Sequence, residues 1–159
     1  KLNWMNGQYL KNLPVDILMN YAKPEFENAG LNVSDTRKFK AIIKNARKRS
    51  NTVLEMIEHS IPFFNKLTFS NDELNSLKDN SSQLVLKYFF EKLSDQIIWS
   101  EEEIKSLVKE TGESTNVSGK ELYSPLRLSL FGAFQGPDIP SLVVVLGVDE
   151  SVERIKYHL

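Results

Sequence analysis

The chain has 159 residues, 41% of them hydrophobic, enough for one large domain or two small ones with a real core. A formal net charge of −1 supplies no global field for a polyanion, so any such site has to be a local patch. The absence of cysteine excludes disulfides and thiolate metal sites and fits a reducing cytosol, and no apolar run approaches the roughly 20 residues of a membrane span. Residue 1 is Lys and the chain opens in mid-pattern, so it reads as a piece of a longer protein without a signal peptide.

Almost every segment reads as helix, and the expected class is all-α with two packed helical subdomains. Pro14 marks a helix start and Pro24 its expected end. Ser34 can cap a helix running to about Arg49, with Phe39, Ile42, Ile43 and Ala46 on one face. A short helix from Thr52 to His59 is expected to bury Val53, Leu54, Met56 and Ile57 and to end before Pro62. Ser70 with Glu73, Ser100 with Glu103 and Ser118 with Glu121 have the spacing of capping boxes, which satisfy two orphan amides at a helix start. Between the first two, residues 83–93 read as an apolar helix with Leu84, Tyr88 and Leu93 in its core.

Gly112, Gly132 and Gly147 sit where helices should end, and Pro125 where one should begin. Val143 to Val145 is the one strand-like run, but Pro140 before it and Gly147 after it favour a buried helical turn. The small polar stretch 111–118 is the expected boundary, giving subdomains 13–111 and 112–159, with residues 1–12 as the tail of a preceding domain.

Catalysis finds no support. His59 and His158 are the only histidines, and no nucleophile pairs with either. Glu101, Glu102 and Glu103 suit the first turn of a helix dipole better than acid–base work. Neither a glycine-rich phosphate loop nor metal-ligand spacing occurs in the sequence, so no catalytic residue and no metal site is expected.

Binding finds more. Residues 37–49 carry seven cations in thirteen positions, and no acid lies between Asp35 and Glu55. On a helix, Lys40, Lys44 and Arg47 share the face opposite Phe39, Ile42 and Ile43, and Lys48 follows, a pattern suited to phosphate contact, although an ordinary solvated face would explain the same charges. Arg127 stands alone among Leu126, Leu128, Leu130 and Phe131, so it has either to pair with a carboxylate or to project its fork into a site. Such a fork suits a base edge or a phosphate. The turn from Gln135 to Asp138 offers backbone groups of the kind that read unpaired bases, although a structural ion pair and a plain helix-linking turn would explain the same residues.

The segments KLNWMNGQYL (1–10), RSNTVLEM (49–56), IIWSEEEI (97–104) and SPLRLSLFGAFQGPDIPSLVVVLGVDESVERI (124–155) together resemble, in order, the C-terminal part of bacterial glutamyl-tRNA synthetases. The resemblance implies an all-helical region that grips an anticodon loop. It implies that Arg127 contacts an anticodon base, that Gly136, Pro137 and Ile139 line a base pocket, that Arg49 reads the third anticodon base, and that Lys109 lies near a further basic contact. It implies a glutamate-accepting tRNA as partner, no cofactor in this piece, and ATP with Mg in a catalytic part outside it. A monomer, a cytoplasmic location and no membrane contact complete the expectation. A helical protein-interaction module, docking a partner through Val143–Leu146 and Phe131–Phe134, is the alternative.

Overall fold

The structure is a computed structural model that describes residues 8, 10–95 and 97–159. Among them no strand occurs, and the chain divides into two compact helical units, Lys1–Lys66 and Leu67–Leu159. The division falls well before the expected boundary. Residues 111–115 are not a linker but the last turn of a helix, where the Thr111 and Thr115 hydroxyls donate to the carbonyls of Leu107 and Thr111 at 2.7 and 2.6 Å. In the helix those hydroxyls direct their hydrogen bonds to carbonyls one turn back, and the full burial of Thr111 ties this polar, loop-like sequence to the core.

The first unit holds α1 (Val15–Asn28), α2 (Thr36–Ala46), a 3-10 turn (Arg47–Arg49) and α3 (Val53–Phe64), each α-helix packed on the other two. Leu18, Ala22, Phe26, Ile42, Ile43, Met56 and Phe63 are fully or almost fully buried. Phe26 is the hub, edge-on to Phe39 with ring centroids 5.2 Å apart. Pro24 does not end α1. It lies exposed inside the helix, where solvent can reach the carbonyl that its missing N–H leaves unpaired. The helix ends instead at a glycine stop: Gly30, at φ +82, donates to the Glu27 carbonyl and Leu31 to that of Phe26.

The cap of α2 is Asp35 rather than Ser34, its carboxylate accepting the Lys38 N–H at 3.1 Å. α3 takes Thr52, expected as its first residue, as its N-cap and runs through Pro62, and Leu54 is 65% exposed instead of buried. Leu10 is fully buried and the Lys11 carbonyl accepts a bond from Arg47, so the end of the expected tail belongs to this unit. The rest of that tail, with most of the KLNWMNGQYL motif, lies outside the described residues.

The second unit holds α4 (Asn71–Leu77), α5 (Asn80–Leu93), α6 (Glu101–Thr115), α7 (Lys120–Phe131), α8 (Ile139–Leu146) and α9 (Val148–Lys156). α5 packs against α6, α7 and α9, and α8 closes the far side against α6 and α7. The core of α5 is Val85, Leu86, Phe89 and Leu93, whereas Leu84 is exposed and Tyr88 half-buried. The capping boxes at Ser70 and Ser100 form as expected. The third does not, because Gly119 takes the cap of α7 at φ +61, ψ −136. α7 is therefore under way before Pro125, which is buried within it. Gly112 lies inside α6: a Cβ there would stand 2.9 Å from the Val117 carbonyl, so the glycine permits close approach, and the left-handed residue that ends the helix is Asn116. Gly132 and Gly147 do close α7 and α8, and the valine run is helical.

Candidate nucleic-acid interface

Ionic character separates between the units. Residues 1–66 hold eleven Lys and Arg against six Asp and Glu, a net +5, and residues 67–159 hold nine against fifteen, a net −6. The near-zero total thus conceals one basic and one acidic unit. This signal was available in the sequence, but only once the division at 66/67 was known.

In the basic unit, amphipathic α2 turns its apolar face to the core and leaves its cations outside. Lys40 meets Asp16 at 3.6 Å in an exposed pair, and Arg47 donates to the Lys11 carbonyl at 3.1 Å. Both are partly committed to the fold, though an exposed pair of this kind is worth only ~0–1 kcal/mol. Lys44 and Lys48 are exposed, with no carboxylate partner among the described residues. The helix tightens after Ala46, and Ser50 anchors the 3-10 turn by donating to the Ala46 carbonyl at 2.7 Å, with His59 Nδ1 3.0 Å away. Arg47, Lys48 and Arg49 therefore leave the straight helical face expected of them. Partial burial lowers the Arg49 pKa below its ordinary value.

In the second unit, Arg127 projects from α7 and is half-buried, with its fork only partly free. Its Nε donates to the Pro137 carbonyl at 3.1 Å and Nη1 makes a longer, weaker contact to the Phe134 carbonyl at 3.5 Å, so two of the three guanidinium nitrogens hold the turn. Among the described residues no carboxylate pairs with it. The same side chain borders a concavity of about 400 Å³ with Lys105, Tyr123, Ile139, Pro140 and three acids, Glu101, Glu102 and Asp138. Asp138 caps α8 by accepting the Ser141 N–H at 2.8 Å.

Gly136, at φ +153, lies on the Phe131 ring: a Cβ there would stand 2.6 Å from Cε2. The turn is thus held by Arg127 from one side and by a glycine-only approach to Phe131 from the other. Pro137 and Ile139 are buried and shape the site more than they present surface. The structure brings Arg127, Gly136, Pro137 and Ile139 together. Lys109 is exposed on α6 one turn beyond Lys105, outside the lining of the concavity, and Arg49 belongs to the other unit. Tyr123 and Lys105 were missed because neither stands out in sequence; only the packing of α6 on α8 and α8 on α7 makes them neighbours. Of the alternative docking surface, Val143–Leu146 is largely internal, with Val144 alone exposed, while in the second segment Phe131 is buried and Phe134 is exposed.

Among the described residues no cluster of acids and histidines could hold a metal ion, and no helix is long and apolar enough to cross a membrane. Comparison with known proteins agrees with the helical architecture. The model of the anticodon binding domain family matches residues 15–159. Glutamate–tRNA ligase of Aquifex aeolicus is 32% identical over 157 residues, covering 98% of this chain and 33% of its own length. That of Carboxydothermus hydrogenoformans is 30% identical over 161 residues, covering 98% and 34%. Among solved structures, a glutamate tRNA ligase from Elizabethkingia meningosepticum, in complex with its amino acid, superposes with a TM-score of 0.82 at 25% identity, over 98% of this chain and 31% of the other. A glutamate-tRNA synthetase from Elizabethkingia anophelis gives 0.78 at 26% identity, over 98% and 30%. The chain spans about a third of the length of these relatives. With the family model covering all but the first residues, the chain belongs to the anticodon binding domain family.

Proposed function

We propose that the chain recognises the anticodon loop of a glutamate-accepting tRNA, as the C-terminal part of a cytoplasmic, monomeric ligase that joins glutamate to that tRNA with ATP and Mg bound elsewhere. The observation that carries the reading is the state of Arg127. It has no carboxylate partner among the described residues, its Nε edge is tied to the turn, and it borders a concavity next to an aromatic side chain. With Nε and Nη1 on the turn, Nη2 keeps its donors for a base or phosphate. Lys44 and Lys48, with Lys40 and Arg47 behind them, supply the sequence-blind phosphate contacts that set register, and Arg49 with the Arg127 turn supplies base contacts. Lys109 adds a further cation near the second site.

The test is direct binding of this chain to an RNA hairpin carrying the glutamate anticodon, beside the same stem closed by an unrelated loop. Tighter binding to the anticodon hairpin supports the reading. Equal affinity for the two loops would leave only generic phosphate attraction and reject it.

A further inference from the structure

Of the nine phenylalanines, Phe134 alone is exposed, at 46%. It sits on a turn that has little freedom. Gly132, at φ +78, ends α7 before it, Gly136 lies on the Phe131 ring after it, and Arg127 holds the Phe134 and Pro137 carbonyls. A large apolar ring kept in water on a fixed turn costs hydration free energy that burial would recover. The ring is also one wall of a concavity of about 400 Å³ distinct from the Arg127 site, formed with the end of α4 and the starts of α5 and α7.

The chemistry of that lining is specific. Pro125 lies on the wall with the ring, and Ser81 and Ser124 are half-buried, with hydroxyls that can donate or accept. Lys120 stands exposed at the rim. Of the two acids present, Asp79 is committed to capping α5, accepting the Ser82 N–H at 2.7 Å, and Glu121 is exposed. An aromatic face, adaptable hydroxyls and one cation are the elements of a sequence-tolerant base platform.

We propose that this concavity receives one unpaired nucleobase of an RNA loop, stacked on Phe134, with Lys120 reaching the adjoining phosphate. The inference rests on the anticodon-loop reading and adds to it a second base-binding place. Arg127 then has a positioning role here, because it fixes the turn that carries the ring.

The experiment uses the anticodon hairpin and three variants of this chain. Phe134→Ala should weaken binding by about 5- to 150-fold, the range of a lost base–aromatic stack, with an unchanged salt slope. Phe134→Trp should retain affinity, and its added fluorescence, read against the unsubstituted chain, should be quenched on binding. Lys120→Gln should instead lower the salt slope by about one phosphate contact. A series of hairpins lacking one loop base at a time should contain one for which Phe134→Ala has no further effect, and that position identifies the stacked base. Wild-type affinity for Phe134→Ala, or an unquenched indole signal from Phe134→Trp in a complex that forms normally, would overturn the platform while leaving the anticodon reading intact. Failure of the unsubstituted chain to bind any hairpin would overturn both. Equal thermal midpoints for the variants exclude a folding explanation, as the exposure of residue 134 leads one to expect.

Discussion

Arg127 shows how far a residue can be read before its surroundings are known. A lone cation in an apolar helix segment was legible as a site, but its partners were not, because they are carbonyls ten and seven positions away on a turn whose shape depends on two glycines. The side chain has a double task, holding the turn and presenting the rest of its fork. Arg127→Ala should therefore weaken hairpin binding by ~1–3 kcal/mol and relax base preference, and Arg127→Lys should recover little, since an ammonium cannot reproduce the planar fork. Titrations against the cognate hairpin and its base-substituted versions check both. Gly136→Ala forces a Cβ against the Phe131 ring and should cost ~1–3 kcal/mol in unfolding free energy, measurable by denaturant titration; an unchanged midpoint would mean that the ring simply moves aside.

At the scale of elements, the apolar periodicities and two of the three capping boxes were legible because they are local. Four of the misplaced ends lie at proline or glycine: Pro24 and Pro62 were taken as stops, Pro125 as a start and Gly112 as an end, whereas α1, α3, α7 and α6 run through them. The basic face of α2 was legible, but not the 3-10 turn that re-aims Arg47 to Arg49, which depends on Ser50. Lys44→Ala should weaken binding to every RNA alike and reduce the salt slope by about one contact; a slope equal to wild type would take Lys44 out of the interface.

The end of α9 carries a pH effect. His158 stands edge-on to Phe69 with ring centroids 4.7 Å apart, and burial lowers its pKa from the ordinary 6.5. The unfolded chain then binds the proton more readily than the folded one. The resulting loss of stability is absent well above pH 6.5, grows as the pH falls through that value, and levels off below the folded pKa. His158→Phe keeps an edge-on ring and should remove that component, so thermal midpoints measured from pH 8 to 5 should fall less steeply for the variant than for the parent chain.

At the scale of the whole chain, the all-helical class was legible from pattern alone, while the division into units was not. The polar residues 111–118 imitate a linker, and the division at 66/67 is not set off by a linker-like run of its own. That division turns a net charge of −1 into a basic unit of +5 and an acidic one of −6. Most of the salt-sensitive affinity should therefore reside in the first unit and most of the base reading in the second, with Lys120 as a phosphate contact contributed by the second and Arg49 as a base contact contributed by the first. The most direct test is the affinity of this chain for the glutamate-anticodon hairpin against one altered only at the third anticodon base, each at two salt concentrations. The account predicts tighter binding to the unaltered hairpin at both salts, with both affinities falling in parallel as salt rises. Equal affinities for the two hairpins, or a preference that disappears with salt, would contradict it.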